Sequence, residues 1–368
     1  MSRAAAETAV SDPGSFIRIQ DIAKSFSGVS AVEGVSLEIR RGELFCLLGA
    51  SGSGKTTFLR MLAGFERPDR GTISIDGADV TAMPPYLRPV NLMFQSYALF
   101  PHMSVESNIA FGLRQENLSR SEIARRVEEM LALVQMTSFA RRRPHELSGG
   151  QRQRTALARA LAKLPKVLLL DEPLAALDRK LREETRQELV SIQARLGITF
   201  IVVTHDAEEA MGMASRIAIL KGGKLAQIGA PPELYDRPRS RYVADFLGPV
   251  NLFECEILAQ EPGSVVLRLV DLDTELRVPD EPGTARTGRA WVAIRPERMT
   301  QAIGAAPVSR MRGVLRAAVF RGESHSCRIE LPNGKSVLFT ASTAVAIPRQ
   351  GEPVELSWPL GAGVVLFE

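Results

Sequence analysis

The sequence predicts an α/β domain with a largely parallel sheet, followed by a small all-β domain. Between residue 15 and residue 245, apolar runs typical of buried strands alternate with segments whose apolar residues recur at helical spacing. Such alternation is typical of a parallel sheet covered by helices. Beyond residue 246 the helical patterns nearly vanish, and short strands punctuated by glycine, proline and asparagine take their place.

The composition excludes several classes of protein. The chain of 368 residues has a net charge of +4 and no stripe of basic and aromatic residues, so a nucleic-acid partner is not expected. Three cysteines without a CxxC pair argue against a disulfide framework or a zinc site. Residues 1–14 resemble a flexible tail without a signal-peptide core, and no apolar run is long enough to cross a membrane. We therefore expect a soluble chain, or one held at a membrane by partners.

The first buried strand of the α/β domain leads into a phosphate-binding loop. Gly49–Thr57 has the sequence GASGSGKTT, which matches G-x-x-x-x-G-K-[ST], and an apolar helical run follows it. Glycines allow backbone N–H groups to point inward, and the helix start adds positive potential. We expect Lys55 to contact the β- and γ-phosphates and Thr56 to offer its hydroxyl to Mg²⁺; a plain Gly-Ser turn is the alternative. The predicted nucleotide contacts of this loop are Gly49, Ala50, Ser51, Gly52, Ser53, Gly54, Lys55, Thr56 and Thr57.

Two helices and two further strands are predicted downstream of this loop. Residues 119–135 and 154–163 have apolar side chains at helical spacing, and Pro165 ends the second helix. Residues 166–172 and 198–205 are apolar runs that favour buried strands. The alternation of the domain therefore continues through these four segments.

Polar groups suited to phosphate chemistry follow these two strands. Asp171 and Glu172 end the first, and His205 ends the second. We expect Asp171 to hold Mg²⁺ through water, Glu172 to orient and deprotonate the attacking water, and His205 to contact the γ-phosphate. A carboxylate pair capping a turn and a structural histidine are the alternatives. Because open parallel sheets bind ligands at the carboxyl ends of their strands, these groups should meet the phosphate loop at one edge.

The C-terminal part, residues 246–368, is predicted to be a barrel-like β domain. Residues 264–270, 326–339 and 353–358 favour strands, and Asn333-Gly334 is a strong hairpin signal.

The order of the motifs resembles that of the ABC-type ATPases. Leu147–Gln151 has the sequence LSGGQ, and it lies between the phosphate loop and the strand with sequence LLLDEP. Together with Gln95, Asp178 in the sequence AALD, and His205, these motifs span the family's whole nucleotide-binding domain, which we place at residues 15–245. The resemblance implies that ATP and Mg²⁺ are bound, and that Gln95 joins Mg²⁺ and the attacking water to a transporter contact surface.

The resemblance also implies an aromatic contact to the nucleotide and a paired assembly. Phe26 would stack on adenine, although a core phenylalanine is the alternative. Two such domains close head to tail around two ATPs in this family, so Asp178 would lie at the seam of a pair formed with a second copy of the chain. Ser148 and Gly150 would contact the γ-phosphate held by the partner's Lys55, and Gly149 and Gln151 beside them are also expected to contact the nucleotide. A helix N-terminus that binds anions is the physical reason for serine and glycines there.

The resemblance extends into the C-terminal domain. Residues 242–254 and the segment Ile294–Met299, with sequence IRPERM, are similar to the β domain of OB/TOBE type in importer ATPases. This implies an ATPase at the cytoplasmic face of a bacterial inner membrane. Two permease subunits would hold it there and receive solute from a periplasmic binding protein.

Sugar, polyamine, ferric-ion and sulfate importers share these features, so the expected cargo follows from similarity in particular segments. Residues 49–66, 88–115 and 248–254 are most similar to putrescine importer ATPases. A non-transport ATPase acting on DNA or ribosomes is disfavoured, because the chain has one ATPase domain and no long coiled coil. Whether the β domain binds a regulatory ligand stays open.

Overall fold

The computed structural model describes residues 15–270, 274–279, 288–301 and 309–367. The chain divides into two compact units, one ending at Pro231 and the other beginning at Pro232. The strands of the first unit are β1 (Ser15–Phe26), β2 (Val29–Arg40), β3 (Leu44–Gly49), β4 (Arg70–Ile75), β5 (Ala78–Asp79), β6 (Val90–Met93), β7 (Val167–Asp171), β8 (Thr199–Thr204), β9 (Arg216–Lys221) and β10 (Lys224–Gly229). Its helices are α1 (Lys55–Ala63), α2 (Val105–Leu113), α3 (Arg120–Leu133), α4 (Gly149–Leu161), α5 (Arg179–Leu196) and α6 (Ala207–Met213).

A central sheet carries the first unit, with strand order β10-β9-β3-β8-β7-β6. Its strands are parallel except for the edge strand β10. Residues of β3 and β8 are all buried, as expected for parallel strands covered on both faces. The predicted α/β domain is thus confirmed. The carboxyl ends of β3, β8, β7 and β6 lie side by side, which brings four loops to one edge of the sheet.

A second, antiparallel sheet in the order β2-β1-β4-β5 was not predicted from the sequence. Register shifts interrupt the pairing of β1 with β2, and Asp21 within β1 has a φ of +46°, so the apolar alternation along these strands is broken. Strand β2 nevertheless contacts the phosphate loop directly. A Cβ placed on Gly54 would lie 2.1 Å from the carbonyl oxygen of Ala31, so only glycine fits where the loop passes β2.

Serine side chains cap the N-termini of α2, α3 and α4 in this unit. Ser119 and Glu122 form a capping box at α3, which confirms the predicted helix there. Helix α4 begins at Gly149 with Ser148 as its cap, in agreement with the helix N-terminus that the family resemblance implies there. The apolar spacing marks only residues 154–163, because the first turn contains glycines and polar residues and no apolar side chain.

The second unit is rich in strands, as predicted. Its elements are α7 (Pro231–Asp236, which begins one residue before the divide), α8 (Arg241–Phe246), β11 (Asn251–Glu261), β12 (Ser264–Leu269), β13 (Thr274–Pro279), β14 (Gly288–Ile294), β15 (Thr300–Gln301), β16 (Ser309–Phe320), β17 (Ser324–Glu330), β18 (Ser336–Ser342), β19 (Pro353–Trp358) and β20 (Gly363–Leu366). The described strands form two curled antiparallel sheets, β13-β12-β11-β14-β20 and β15-β19-β16-β17-β18. Both sheets contribute side chains to one apolar core, including Phe253 and Phe339.

The predicted domain boundary after residue 245 lies later than the divide between the two units at Pro231. The contacts of Arg295 explain why the residues between these two positions belong to the second unit. Its buried guanidinium donates to the carbonyl oxygens of Ala244 and Gly248, at 2.8 and 3.0 Å. The same guanidinium lies 4.1 Å from the ring centre of Tyr235. Arg295 therefore holds the segment from Tyr235 to Gly248 against β14 within the second unit.

Candidate functional site

Lys55 lies at the centre of the phosphate loop. It is the first residue of α1, and its Nζ donates to the carbonyl oxygens of Gly49 and Ala50 at 2.7 and 2.9 Å. The ammonium group therefore sits inside the curve of the loop, where burial lowers the pKa of Lys55 while Glu172 and Asp171 act to raise it. An anion bound by the loop would meet this charge and the N-terminus of α1 together.

The backbone of the loop is fixed by positions that admit only glycine. A Cβ on Gly49 would lie 2.6 Å from the carbonyl oxygen of Leu220. Gly52 has a φ of +76° and open space around it, so there the backbone conformation, and not crowding, requires glycine. Ser51 and Thr56 are exposed on the same loop. The loop thus offers backbone N–H groups and a hydroxyl group, which suit the phosphates of a nucleoside triphosphate.

Glu172 contacts two other predicted site residues at the carboxyl edge of the sheet. Its Oε2 accepts from the Nε2 of Gln95 at 2.8 Å, and its Oε1 lies 3.0 Å from the Nδ1 of His205. The structure therefore joins three predicted catalytic residues that come from the loops after β6, β7 and β8. Glu172 also has a φ of +46°, a conformation that costs free energy in a non-glycine residue and is common at functional sites.

The oxygen groups beside Lys55 fit a magnesium ion. Burial raises the pKa of Asp171, and the neighbouring Glu172 raises it further. A divalent cation would favour the charged form of this carboxylate. Thr56 contributes a hydroxyl, and Gln95 keeps its amide oxygen because the contact to Glu172 uses its nitrogen. Mg²⁺ takes one or two carboxylates together with phosphate oxygens, and this donor set is of that kind.

Ser148 and Gln151 cap helix α4. The Ser148 hydroxyl accepts from the Gln151 N–H at 3.3 Å, and the Gln151 Oε1 accepts from the Ser148 N–H at 2.9 Å. Ser148 is exposed, whereas a Cβ on Gly150 would lie 3.1 Å from the side chain of Leu181. The predicted nucleotide contact of Gln151 thus competes with a local role, because its side chain already completes the helix start.

Asp178 has a similar local role at helix α5. Its Oδ1 accepts from the N–H of Leu181 at 3.1 Å, and the rest of its side chain is exposed. Within the described residues, neither Ser148 nor Asp178 forms a hydrogen bond to the phosphate loop of the same chain. Both side chains are therefore available to another molecule, and their predicted contact with a partner's nucleotide stays a prediction.

Phe26 lies at the end of β1, and 44% of its surface is exposed. The alternative that it is a core residue is therefore wrong. The Nζ of Lys24 lies 5.4 Å from the centre of its ring. Phe26 pairs with Val29 in the hairpin that leads to Ala31, the residue that crowds Gly54. The exposed ring is thus part of the strand pair that borders the phosphate loop.

Replacing Phe26 with alanine is expected to weaken ATP binding about 10-fold, because a base–aromatic stack contributes about 1–3 kcal/mol. Phe26→Tyr should bind ATP normally, since a stack needs only the face of the ring. The dissociation constant for ATP, measured by equilibrium titration, checks both variants. Tyr86→Ala removes another exposed aromatic ring of the same unit and serves as the control. Equal affinity of the Phe26→Ala variant and the wild type would contradict the stack.

Arg159 contacts the Gln95 loop and was not found from the sequence. Its guanidinium donates to the carbonyl oxygens of Tyr97 and Ala98, at 2.8 and 2.7 Å. Both of those residues have positive φ angles, so Arg159 of α4 stabilises an unfavourable backbone conformation close to Gln95. No local sequence pattern predicts this contact, because Arg159 lies far from Tyr97 and Ala98 in the sequence.

Comparison with known proteins identifies related sequences across both units. A sequence profile described as "ABC transporter" matches residues 32–175, and one described as "TOBE domain" matches residues 292–366. The putrescine transport ATP-binding protein PotG of Escherichia coli is 48% identical over 95% of this chain and 94% of that protein. The spermidine/putrescine import ATP-binding protein PotA 1 of Pseudomonas aeruginosa is 51% identical over 88% of each chain.

Solved structures resemble the chain over about three fifths of its length. The structure of cbiO1 from Clostridium perfringens, part of the ABC transporter complex cbiONQ, has a TM-score of 0.57 and 32% identity, covering 60% of this chain and 90% of that one. A dimeric ATP-binding cassette in a post-hydrolysis state, bound to ADP and Pi, has a TM-score of 0.53 and 31% identity, covering 58% and 98%. Across the part of the chain that is described here, no helix is long and apolar enough to span a membrane.

Proposed function

The chain belongs to the ABC transporter family, and from this membership we propose that it is the ATP-hydrolysing subunit of a polyamine importer, with putrescine as the first candidate cargo. One observation carries the choice of cargo. The putrescine transport ATP-binding protein PotG is 48% identical over 95% of this chain, a similarity that includes both units. Importer ATPases for ferric ion, sugar or sulfate are the alternatives.

The site supports hydrolysis of ATP by water. Lys55 and the N–H groups of the loop hold the β- and γ-phosphates in place. Glu172 orients a water molecule and takes its proton while the water oxygen bonds to the γ-phosphorus and the bond to the β-phosphate oxygen breaks, which yields ADP and phosphate. Each carboxylate oxygen of Glu172 keeps a lone pair for this water in addition to its contact with Gln95 or His205.

Other residues near Glu172 contact the γ-phosphate and bind Mg²⁺. His205, fixed by Glu172, contacts the γ-phosphate, and its exposed ring can reach a ligand in front of the sheet edge. Thr56, Asp171 and Gln95 would hold Mg²⁺, which when bound neutralises charge on the phosphates. Gln95 further links the site to the surface from Tyr97 to His102, where we place the permease contact.

The assembly that we propose contains two copies of this chain, two permease subunits and a periplasmic solute-binding protein, at the cytoplasmic face of a bacterial inner membrane. Ser148 and Asp178 support the paired arrangement, because each caps a helix and leaves an exposed polar side chain. A cationic diamine is selected by acidic and aromatic groups, which the binding protein and the permeases supply. The chain itself provides the hydrolysis.

The test is reconstitution of the chain in lipid vesicles with its permease subunits and its solute-binding protein. We expect ATP hydrolysis to rise when the binding protein carries putrescine, with spermidine as the second-best cargo. Maltose, ferric ion and sulfate should not raise it. Stimulation by one of these three instead would overturn the polyamine cargo and leave the ATPase intact. A complex without ATP hydrolysis under any condition would overturn the proposed function itself.

A further inference from the structure

Helix α5 is capped by Asp178, which we assign to the partner's nucleotide. The first turn of the same helix contacts the loop that carries His205, which we assign to the chain's own nucleotide. Asp178 caps the helix, and Arg182 lies one turn further along. The guanidinium of Arg182 donates through Nη2 to the carbonyl oxygen of Leu177, at 3.1 Å. Arg182 is thereby attached to the segment that carries Asp178.

The same guanidinium also lies close to two carboxylates that follow His205. Its Nη1 lies 3.6 Å from the Oδ2 of Asp206, and its Nε lies 3.4 Å from the Oε1 of Glu209. The Nε atom has no hydrogen bond within the described residues, so its contact with Glu209 is an ion pair without hydrogen-bond geometry. Such a contact depends on the opposite charges of the two groups and not on a directed hydrogen bond.

Glu209 transmits this contact to the backbone around His205. Its side chain is only 7% exposed, and its Oε2 accepts from the hydroxyl of Thr204 at 2.8 Å. The Thr204 oxygen in turn accepts from the N–H of Asp206 at 3.0 Å. The residues before and after His205 are therefore tied to one buried carboxylate.

A buried carboxylate is stable only when its charge is compensated, and Arg182 supplies part of that compensation. Burial raises the pKa of Glu209, while the Thr204 hydroxyl, Arg182 and His205 act to lower it and Asp206 to raise it. Loss of Arg182 would leave Glu209 without its guanidinium partner. The loop that carries His205 would then lose a fixed anchor.

We propose that Arg182 is a positioning residue that couples the Asp178 segment to the His205 loop, so that closure of a second copy on Asp178 sets His205 for hydrolysis in the chain's own site. This inference rests on the proposed ATP hydrolysis by a head-to-tail pair. Contact of the partner with the Asp178 segment would shift the start of α5, and the Arg182 ion pairs would carry the shift to Glu209 and Thr204. Neither Lys55 nor the phosphate loop takes part, so binding of ATP is not affected.

The test compares Arg182→Gln with Arg195→Gln. Both variants remove one positive charge from α5, and Arg195 is exposed and has no partner within the described residues. We expect kcat of Arg182→Gln to fall about 10-fold, the size of effect usual for residues that carry coupling between sites. The KM for ATP and the dissociation constant for ATP should stay within about twofold of wild type. Arg195→Gln should match wild type in all three quantities.

Two further variants separate positioning from simple stabilisation. Glu209→Gln keeps an acceptor for Thr204 but removes the charge that Arg182 contacts. If the two residues act through one contact, the double variant should lose no more activity than the worse single variant. Arg182→Lys should recover part of kcat, because an ammonium group can reach one carboxylate but not the carbonyl of Leu177 at the same time.

Several outcomes would overturn the inference. Unchanged kcat in Arg182→Gln would do so, even if its melting temperature falls, because that pattern is what a purely structural contact predicts. Multiplicative losses in the double variant would show that Arg182 and Glu209 act independently. A wild-type chain that hydrolyses no ATP would contradict the proposed function instead, and the two failures are thus distinguishable.

Discussion

Replacing Glu172 with glutamine is expected to lower ATP turnover about 10²–10⁴-fold, the usual contribution of a positioned base. The amide cannot take the proton of the attacking water, and its NH2 group faces a second NH2 group on Gln95 or the ring of His205. Binding of ATP should survive, because Lys55 and its loop are intact. Removal of one negative charge beside the γ-phosphate should favour the closed, ATP-bound pair. The ATPase rate and ATP-dependent dimerisation, measured together, test both expectations.

A matched control for this variant is Glu184→Gln, which removes an exposed carboxylate outside the sheet edge. It should hydrolyse ATP at the wild-type rate. Turnover of Glu172→Gln close to that of Glu184→Gln would rule out the general-base role. The contacts to Gln95 and His205 would then be only structural.

Replacing Ser148 with arginine is expected to abolish most ATP hydrolysis while each chain still binds ATP. The substitution puts bulk and positive charge at the exposed start of α4, where we expect the partner's phosphates to dock. It also removes a helix cap, which costs about 0.5–2 kcal/mol by itself. Ser119→Arg is the control, because Ser119 is the exposed cap of α3 with the same capping box. A similar loss of turnover in both variants would assign the effect to the cap and not to the pair.

Cross-linking tests the same surface directly. Cys46, Cys255 and Cys327 are all buried, so a cysteine introduced at an exposed position is the reactive one. Chains with Ser148→Cys, mixed with chains with Ser51→Cys, should form an interchain disulfide in the presence of ATP. If no such product forms although both introduced cysteines react with a small thiol reagent, the head-to-tail pair is contradicted.

The sequence predicted the parts of the site that follow from local pattern. The glycine spacing of Gly49–Thr57 and the apolar run before Asp171 depend on neighbours in the chain, and both lie where a parallel sheet needs them. The hydrogen bond from Gln95 to Glu172 was not predicted, because it depends on β6 lying beside β7, and β6 has only four residues. A strand so short gives no periodicity to detect.

The contacts of arginine side chains with distant backbone carbonyl groups were also not predicted. Arg88 donates to the carbonyl oxygens of Met61 and Leu62 at 2.6 and 2.8 Å, and so fixes the last turn of α1. Arg182 and Arg295 act in a comparable way at other places. In a sequence an arginine signals a charged surface, and only the folded chain shows which carbonyl groups it satisfies. Arg159 was missed for the same reason.

The anchoring of Tyr235–Gly248 by Arg295 bears on how such chains recombine. If a gene were joined to another after residue 245, Arg295 would be inherited with one parent and the Tyr235 ring beneath its guanidinium with the other. A junction at Pro231 keeps these two side chains together. The heritable module is therefore the β-rich region together with its two leading helices, and crossovers that separate these helices from Arg295 should be selected against.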